Sequence, residues 1–234
     1  MALEDHFRGL GDLKLDDLKL DDLKKPEPAP AAPPVIAPAP PVTAPAPTVS
    51  SVSASGVEGA IVEIVADGRK GRGFIVDANG RVATDLPLVS GAARIKATTA
   101  DGDVFLARMT HKDENRGLAL LEIGRDTPNH LPFGDIGQIE VGDSVSVAAR
   151  SAGTFELGRA LVVGLRRLNN VAVIQLEGAD MGASGTPILS TDGNVVGVYT
   201  SRFTSTRNRV SFAVSINELK GLMFGEWKDF ARRT

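Results

Sequence analysis

From about Val57 onward the sequence predicts an all-β domain closed by one C-terminal helix, and three observations carry that expectation. Short runs rich in β-branched residues recur between Gly, Asn and Asp turn signals. Apolar residues at helical spacing are convincing in one place, Ile216, Leu219, Met223, Trp227 and Phe230, behind a Ser215/Glu218 capping box. Hydrophobic residues make up 42% of the 234, enough for a sizeable core. Many short strands at regular spacing fit either a sandwich or barrels.

Residues 1–25 hold a small repeat, Leu13-Lys14-Leu15-Asp16-Asp17, then Leu18-Lys19-Leu20-Asp21-Asp22, then Leu23-Lys24-Lys25. At about 100° per residue Leu13 and Leu20 share a helix face, while Leu15 and Leu18 lie nearly opposite. The segment is therefore a poor amphipathic helix, and it reads as a solvated tail or as a docking motif in several copies, whose avidity offsets weak single contacts. From 26 to 56 the composition changes: ten of the fourteen prolines lie between Pro26 and Pro47, mostly interleaved with alanine. Such a stretch cannot bury a core and is expected to be an extended, semi-rigid spacer.

The folded part begins with Ala60–Val65, a β-branched run ending at Asp67-Gly68. Gly73–Val76 runs into Asp77–Gly80, whose Asn79-Gly80 pair suits a hairpin. Arg94–Thr98 and Val104–Arg108 flank a second hairpin signal, Asp101-Gly102, and Leu118–Ile123 reads as a mostly buried strand. The same style recurs in 144–149, 157–168, 171–176, 195–203 and 209–214, before the helix at 215–232.

A net charge of −3 argues against a general pull toward nucleic acid or an anionic membrane, so neither is expected as a partner. There is no cysteine, which excludes disulfides and Cys-based metal sites, and no metal or other cofactor is expected. Glu4, Asp5, His6 and Arg8 interrupt any basic-then-apolar signal layout, and no apolar run approaches the roughly 18 residues of a spanning helix. The expected location is the cytoplasm.

The stretch with chemical character is Asp180–Leu189. A serine in a glycine-rich turn that feeds a strand can point its hydroxyl outward, with neighbouring amides converging in front of it. That is the backbone shape of an oxyanion hole. By itself it is also an ordinary Gly-Ser turn.

The context on both sides decides more. Gly71-Arg72-Gly73-Phe74-Ile75-Val76 resembles the Gly-Ser-Gly-Phe-Ile opening of the trypsin-like serine proteases, and of their bacterial HtrA/Deg type in particular. Leu131–Asp135 with Val141–Val145 resembles their entry to a second barrel. Gly182–Leu189 resembles the nucleophile loop Gly-Asn-Ser-Gly-Gly-Pro-Leu, and Val210–Asn217 resembles the strand-to-helix exit. These matches are collinear over roughly residues 59–222. The resemblance implies two six-stranded antiparallel β-barrels over 57–214, divided as 57–133 and 134–214, with a cleft between them and the helix after.

It also implies a triad of serine, histidine and aspartate. Ser184 keeps the nucleophile position, with the amides of Gly182 and Ser184 as the oxyanion hole. The family's Thr-Asn-Ala-His-Val-Val segment corresponds to Thr84–Val89, which puts Pro87 at the histidine position. Its Asp-Ile-Ala-Leu segment corresponds to Gly117–Leu120, which puts Gly117 at the aspartate position. Neither side chain can accept a proton, and an unassisted serine hydroxyl is a weak nucleophile. Ala183 and Thr186 depart from the loop pattern as well. His6 lies in the tail and His130 in the connection between halves, while His111 reads as an exposed strand-end histidine. Asp85 shares a face with Pro87 if the strand continues that far; it reads as a solvated loop acid, with a cleft-facing carboxylate as the alternative.

The expectation is therefore a pseudoprotease that binds a peptide or protein segment in the inter-barrel cleft. The ligand would pair edge-on with the strand at Thr200, Ser201 and Arg202. The alternative is an active serine endopeptidase with a non-standard or partner-supplied base, and a purely structural subunit is a third reading. Arg202, Arg207 and Arg209 read as a solvated basic face that would also suit an acidic ligand. HtrA-type domains commonly trimerise, but here the spacer stands where the trimer-supporting element would be. The oligomeric state is left open, as is a docking partner for the N-terminal repeat.

Overall fold

The computed structural model describes residues 54–127, 129–151, 154–178, 182–205 and 210–230. The leucine-aspartate repeat, nearly all of the proline-rich spacer, His6, Arg207 and Arg209 lie outside the described residues.

A short helix, α1 (Ala54–Ala60), leads into β1 (Ile61–Ala66). β2 (Arg69–Ile75), β3 (Arg81–Asp85), the four-residue helix α2 (Leu86–Val89), β4 (Ile95–Thr98), β5 (Val104–Asp113) and β6 (Leu118–Glu122) complete the first half. These six strands close into an antiparallel barrel in the order β1-β2-β3-β6-β5-β4. The second half holds β7 (Ser144–Ser151), β8 (Thr154–Leu168), β9 (Val171–Gly178), β10 (Pro187–Leu189), β11 (Val195–Ser205) and β12 (Val210–Ser215). They close in the order β10-β11-β12-β9-β8-β7, and α3 (Ile216–Phe230) follows. The choice between sandwich and barrels is settled for two barrels.

Local chemistry accounts for the tight corners. Asp67 and Gly68 both adopt left-handed φ, +48° and +86°, between the paired residues Ala66 and Arg69. Asn169 and Asn170 do the same between Leu168 and Val171. Two left-handed residues make the hairpin turn whose twist matches the strands it joins.

Three apolar clusters hold the fold together. Val62, Ile64, Ile75, Val82, Ala119 and Leu121 fill the first barrel, and Val145, Val147, Val162, Ile174, Leu176 and Ile188 the second. The third contains Phe74, Leu118 and Leu120 from the first barrel, Val173, Leu189, Val198 and Val214 from the second, and Ile216 and Leu219 of α3. β6 thus serves two clusters by strand alternation: Leu118 and Leu120 go to the shared layer, Ala119 and Leu121 to the barrel interior. A side chain of this size contributes about 1.5–3 kcal/mol when fully buried, which explains why the run carries no polar residue before Glu122.

The start of α3 differs from the sequence expectation. Ser215 Oγ accepts from the Asn217 amide, but Glu218 does not reach back to complete a capping box. Its carboxylate instead accepts from Arg116 Nε at 2.7 Å and from the Ala172 amide at 3.0 Å, linking the helix to both barrels. A charged guanidinium outcompetes the local backbone donor for that carboxylate.

Candidate functional site

The Ser184 turn is held from both barrels. The Arg72 amide of β2 donates to the Ser184 carbonyl at 2.8 Å, and the Gly185 amide donates to the Tyr199 carbonyl of β11 at 2.9 Å. Thr186 folds the turn on itself, its hydroxyl and amide both donating to the Ala183 carbonyl. Gly185 sits at φ +88°, where a Cβ would overlap the Arg72 carbonyl and the Thr84 hydroxyl. No other residue fits without moving β2. Gly182, also left-handed at φ +62°, is exposed, and Ser184 is half-buried.

The Ser184 hydroxyl donates a short hydrogen bond to Oδ2 of Asp85, the last residue of β3. Asp85 is completely buried, which corrects its reading as a solvated loop acid. β11 meets it from the second barrel: Thr200, itself fully buried, and the Ser201 amide face the carboxylate, and the Arg202 charge lies nearby. Burial pushes the Asp85 pKa up, and it outweighs the lowering by Ser184, Thr200, Ser201 and Arg202. The second oxygen, Oδ1, is buried with no hydrogen bond of good geometry.

Pro87 lies half-buried in the first turn of α2, where the missing amide costs nothing, and its carbonyl accepts from Arg69 Nη1 at 2.8 Å. Gly117 precedes β6 at φ +71° and gives its carbonyl to the Leu86 amide at 2.8 Å. A Cβ on Gly117 would stand 2.5 Å from Arg202 Nη1 and 2.7 Å from its Cδ. Arg202 is anchored there: Nη1 donates to the Glu114 and Asn115 carbonyls at 3.0 and 3.1 Å, and the guanidinium lies over the Phe203 ring. It is exposed yet tied to the first barrel, more than the solvated face that the sequence suggests.

Thr200, Ser201 and Arg202 border the same centre from β11. The ladder to β12 stops at Thr200 and resumes at Ser205, and the Arg202 amide donates to the Thr200 hydroxyl at 3.2 Å. His111 sits in β5 opposite Leu120; it is half-buried rather than exposed. His130 is exposed. The one hydrogen bond described for the Ser184 hydroxyl is the bond to Asp85. Among the described residues no group of three or more His, Asp or Glu side chains is arranged to hold a metal. No described helix is long and apolar enough to cross a membrane.

Comparison with known proteins bears directly on this geometry. The family described as Trypsin-like peptidase domain matches residues 71–198, from the β2 opening through the Ser184 turn into β11. The chain belongs to the trypsin-like peptidase domain family. This trypsin-like domain is 26% identical over 160 residues to a probable periplasmic serine endoprotease, DegP-like, of Chlamydia trachomatis, covering 65% of the chain and 32% of that protein. It is 31% identical over 174 residues to the mitochondrial serine protease HTRA2 of Bos taurus, covering 68% and 37%. The chain spans about a third of the length of these curated relatives. Among solved structures, the trypsin-like domain matches an inactive form of Rv3671c from M. tuberculosis H37Rv with a TM-score of 0.66 at 22% identity, covering 78% of this chain and 94% of that one. The HtrA-type protease AlgW, solved with a tripeptide, gives 0.64 at 21% identity, covering 73% and 61%. At these identities the structural likeness concerns the fold.

Proposed function

We propose that this protein is a non-proteolytic trypsin-like homologue of the HtrA/Deg type that uses its inter-barrel cleft to bind a peptide or protein segment. The carrying observation is the inward bond from Ser184 to a fully buried Asp85. An acid-base group in acyl transfer must take the hydroxyl proton and then deliver it to the leaving amine. A carboxylate with no exposed surface does the first and cannot reach the second. Pro87 and Gly117, at the positions where the family carries histidine and aspartate, offer no replacement.

The binding surface is what this rewiring leaves. In this reading a ligand carbonyl is met at the Ser184 turn, and the interrupted ladder at Thr200, Ser201 and Arg202 offers an edge for an added strand. The long bond from the Arg202 amide to Thr200 is one that a ligand carbonyl can replace.

One observation favours a second reading, an active endopeptidase with Asp85 as its base. Asp85 touches the nucleophile, and its raised pKa makes it a better base than an ordinary carboxylate. Full-length protein treated with a fluorescent fluorophosphonate separates the two. The binding reading expects no labelling above Ser184→Ala and no cleavage of denatured casein; labelling of the native chain that disappears in Ser184→Ala establishes the second.

A further inference from the structure

The strand register places an uncommon set of side chains on the outer face of the first barrel. Across β2, β1, β4 and β5, the pairing puts Lys70 opposite Val65, Val65 opposite Lys96, and Lys96 opposite Leu106. The neighbouring row reads Arg72, Glu63, Thr98 and Val104. Lys70 and Lys96 are exposed, and among the described residues neither has an acidic group within ion-pair distance. Leu106 and Val104 are 71% and 62% exposed, an unusual display for large apolar side chains. Arg72 lies in that neighbouring row beside Glu63, one of its nitrogens held at 3.1 Å from the Ala148 carbonyl. A groove lined by Ile61, Glu63, Lys70, Arg72, Thr98 and Ala183 carries this face to the edge of the Ser184 turn.

We infer that this face binds an extended acidic peptide segment of a partner protein. In a chain of net charge −3, a cationic row with apolar residues between its charges is complementary to acidic side chains interleaved with apolar ones. The spacing is also selective. Lys70 and Lys96 stand two strand spacings apart, about 9.6 Å, which an extended chain covers in about three residues. A segment in the polyproline II conformation, rising about 3.1 Å per residue with three residues per turn, returns its side chains to the same face over that distance, so carboxylates at positions i and i+3 reach both ammonium groups. The inference names a ligand class for the binding reading. It rests on that reading only for the part of the ligand that continues past Ala183 into the cleft.

Fluorescence polarisation on the full-length protein tests it, with a fluorescein-labelled decamer carrying glutamate at positions 1, 4, 7 and 10 and serine elsewhere. Saturable binding at low ionic strength is expected, weakened about tenfold by Lys70→Glu with Lys96→Glu and weakened by salt, as for exposed charge contacts. Arg166→Glu, an exposed cation on β8, is expected to leave it unchanged. Absence of saturable binding overturns the inference. So does equal weakening by Arg166→Glu, or tighter binding of a ten-nucleotide thymidine oligomer. Fluorophosphonate labelling of Ser184 removes the non-proteolytic reading and leaves this result untouched, so the two fail separately.

Discussion

Ser184 and Asp85 are joined by a hydrogen bond that crosses from the rim of the cleft into the protein: one partner borders solvent, the other has none. The bond ties the turn before β10 to the end of β3, so that hydroxyl and carboxylate come from different barrels.

The same burial sets a pH dependence of stability. The Asp85 pKa is raised in the folded state above its ordinary 3.8. Below that ordinary value the carboxyl is neutral whether the chain is folded or not, and its stabilising contribution is fully present. As pH rises the unfolded chain ionises first, and the contribution is lost until pH passes the raised folded value. Asp85→Asn, which cannot ionise, is therefore expected to gain stability relative to the native chain between about pH 4 and neutrality. Urea midpoints of both proteins at the two ends of that range measure this, and a constant difference would show that the buried group does not titrate in it.

Under the non-proteolytic reading, placing histidine and aspartate at positions 87 and 117, where the resemblance aligns the family's triad, is expected not to produce proteolysis. Pro87→His with Gly117→Asp supplies an imidazole and a carboxylate, but Arg202 occupies the space beside Gly117 and Asp85 holds the serine. Casein cleavage by the double variant should stay at the Ser184→Ala background. Turnover a hundredfold above it would mean that the two substitutions alone separate this chain from a working enzyme.

Gly185→Ala tests the mounting of the turn. The added methyl meets the Arg72 carbonyl, and φ is +88°. A loss of about 2–4 kcal/mol is expected from overpacking and left-handed strain together. Chemical denaturation measures it, and a change under 0.5 kcal/mol would mean that β2 yields easily.

Glu218 predicts a graded pair. Glu218→Gln keeps an acceptor for the Ala172 amide and loses the charge facing Arg116, so a loss of about 1 kcal/mol is expected. Glu218→Ala leaves both donors unmatched and should cost about 2–3 kcal/mol. Equal losses would show that α3 docks through Ile216 and Leu219 alone.

Much of the fold was legible because its signals are local. The Asp67-Gly68 turn, the alternation along β1 and the apolar run of β6 each follow from neighbouring residues. β3 was not legible, since Arg81-Val82-Ala83-Thr84-Asp85 is short and polar at both ends, and β10 has only three residues. At the site, the Ser184 turn announced itself by its glycines. Asp85 did not, because the groups that meet its carboxyl, Thr200, Ser201 and Arg202, lie more than a hundred positions along the chain. Local alternation would have put it on the face of Pro87 had the strand continued, but β3 ends at Asp85 and Pro87 lies in α2. Glu218 misled for a related reason: a cap is a local competitor, and Arg116 arrives from the other barrel.

Because β6 packs apolar residues on both of its faces, neither half of the molecule is self-sufficient. Cutting the chain near Phe133 would strip one flank of Leu118 and Leu120 and leave the first half with a greasy wall open to water. The two halves should consequently melt in one step, and a fragment ending at the first barrel should aggregate rather than fold.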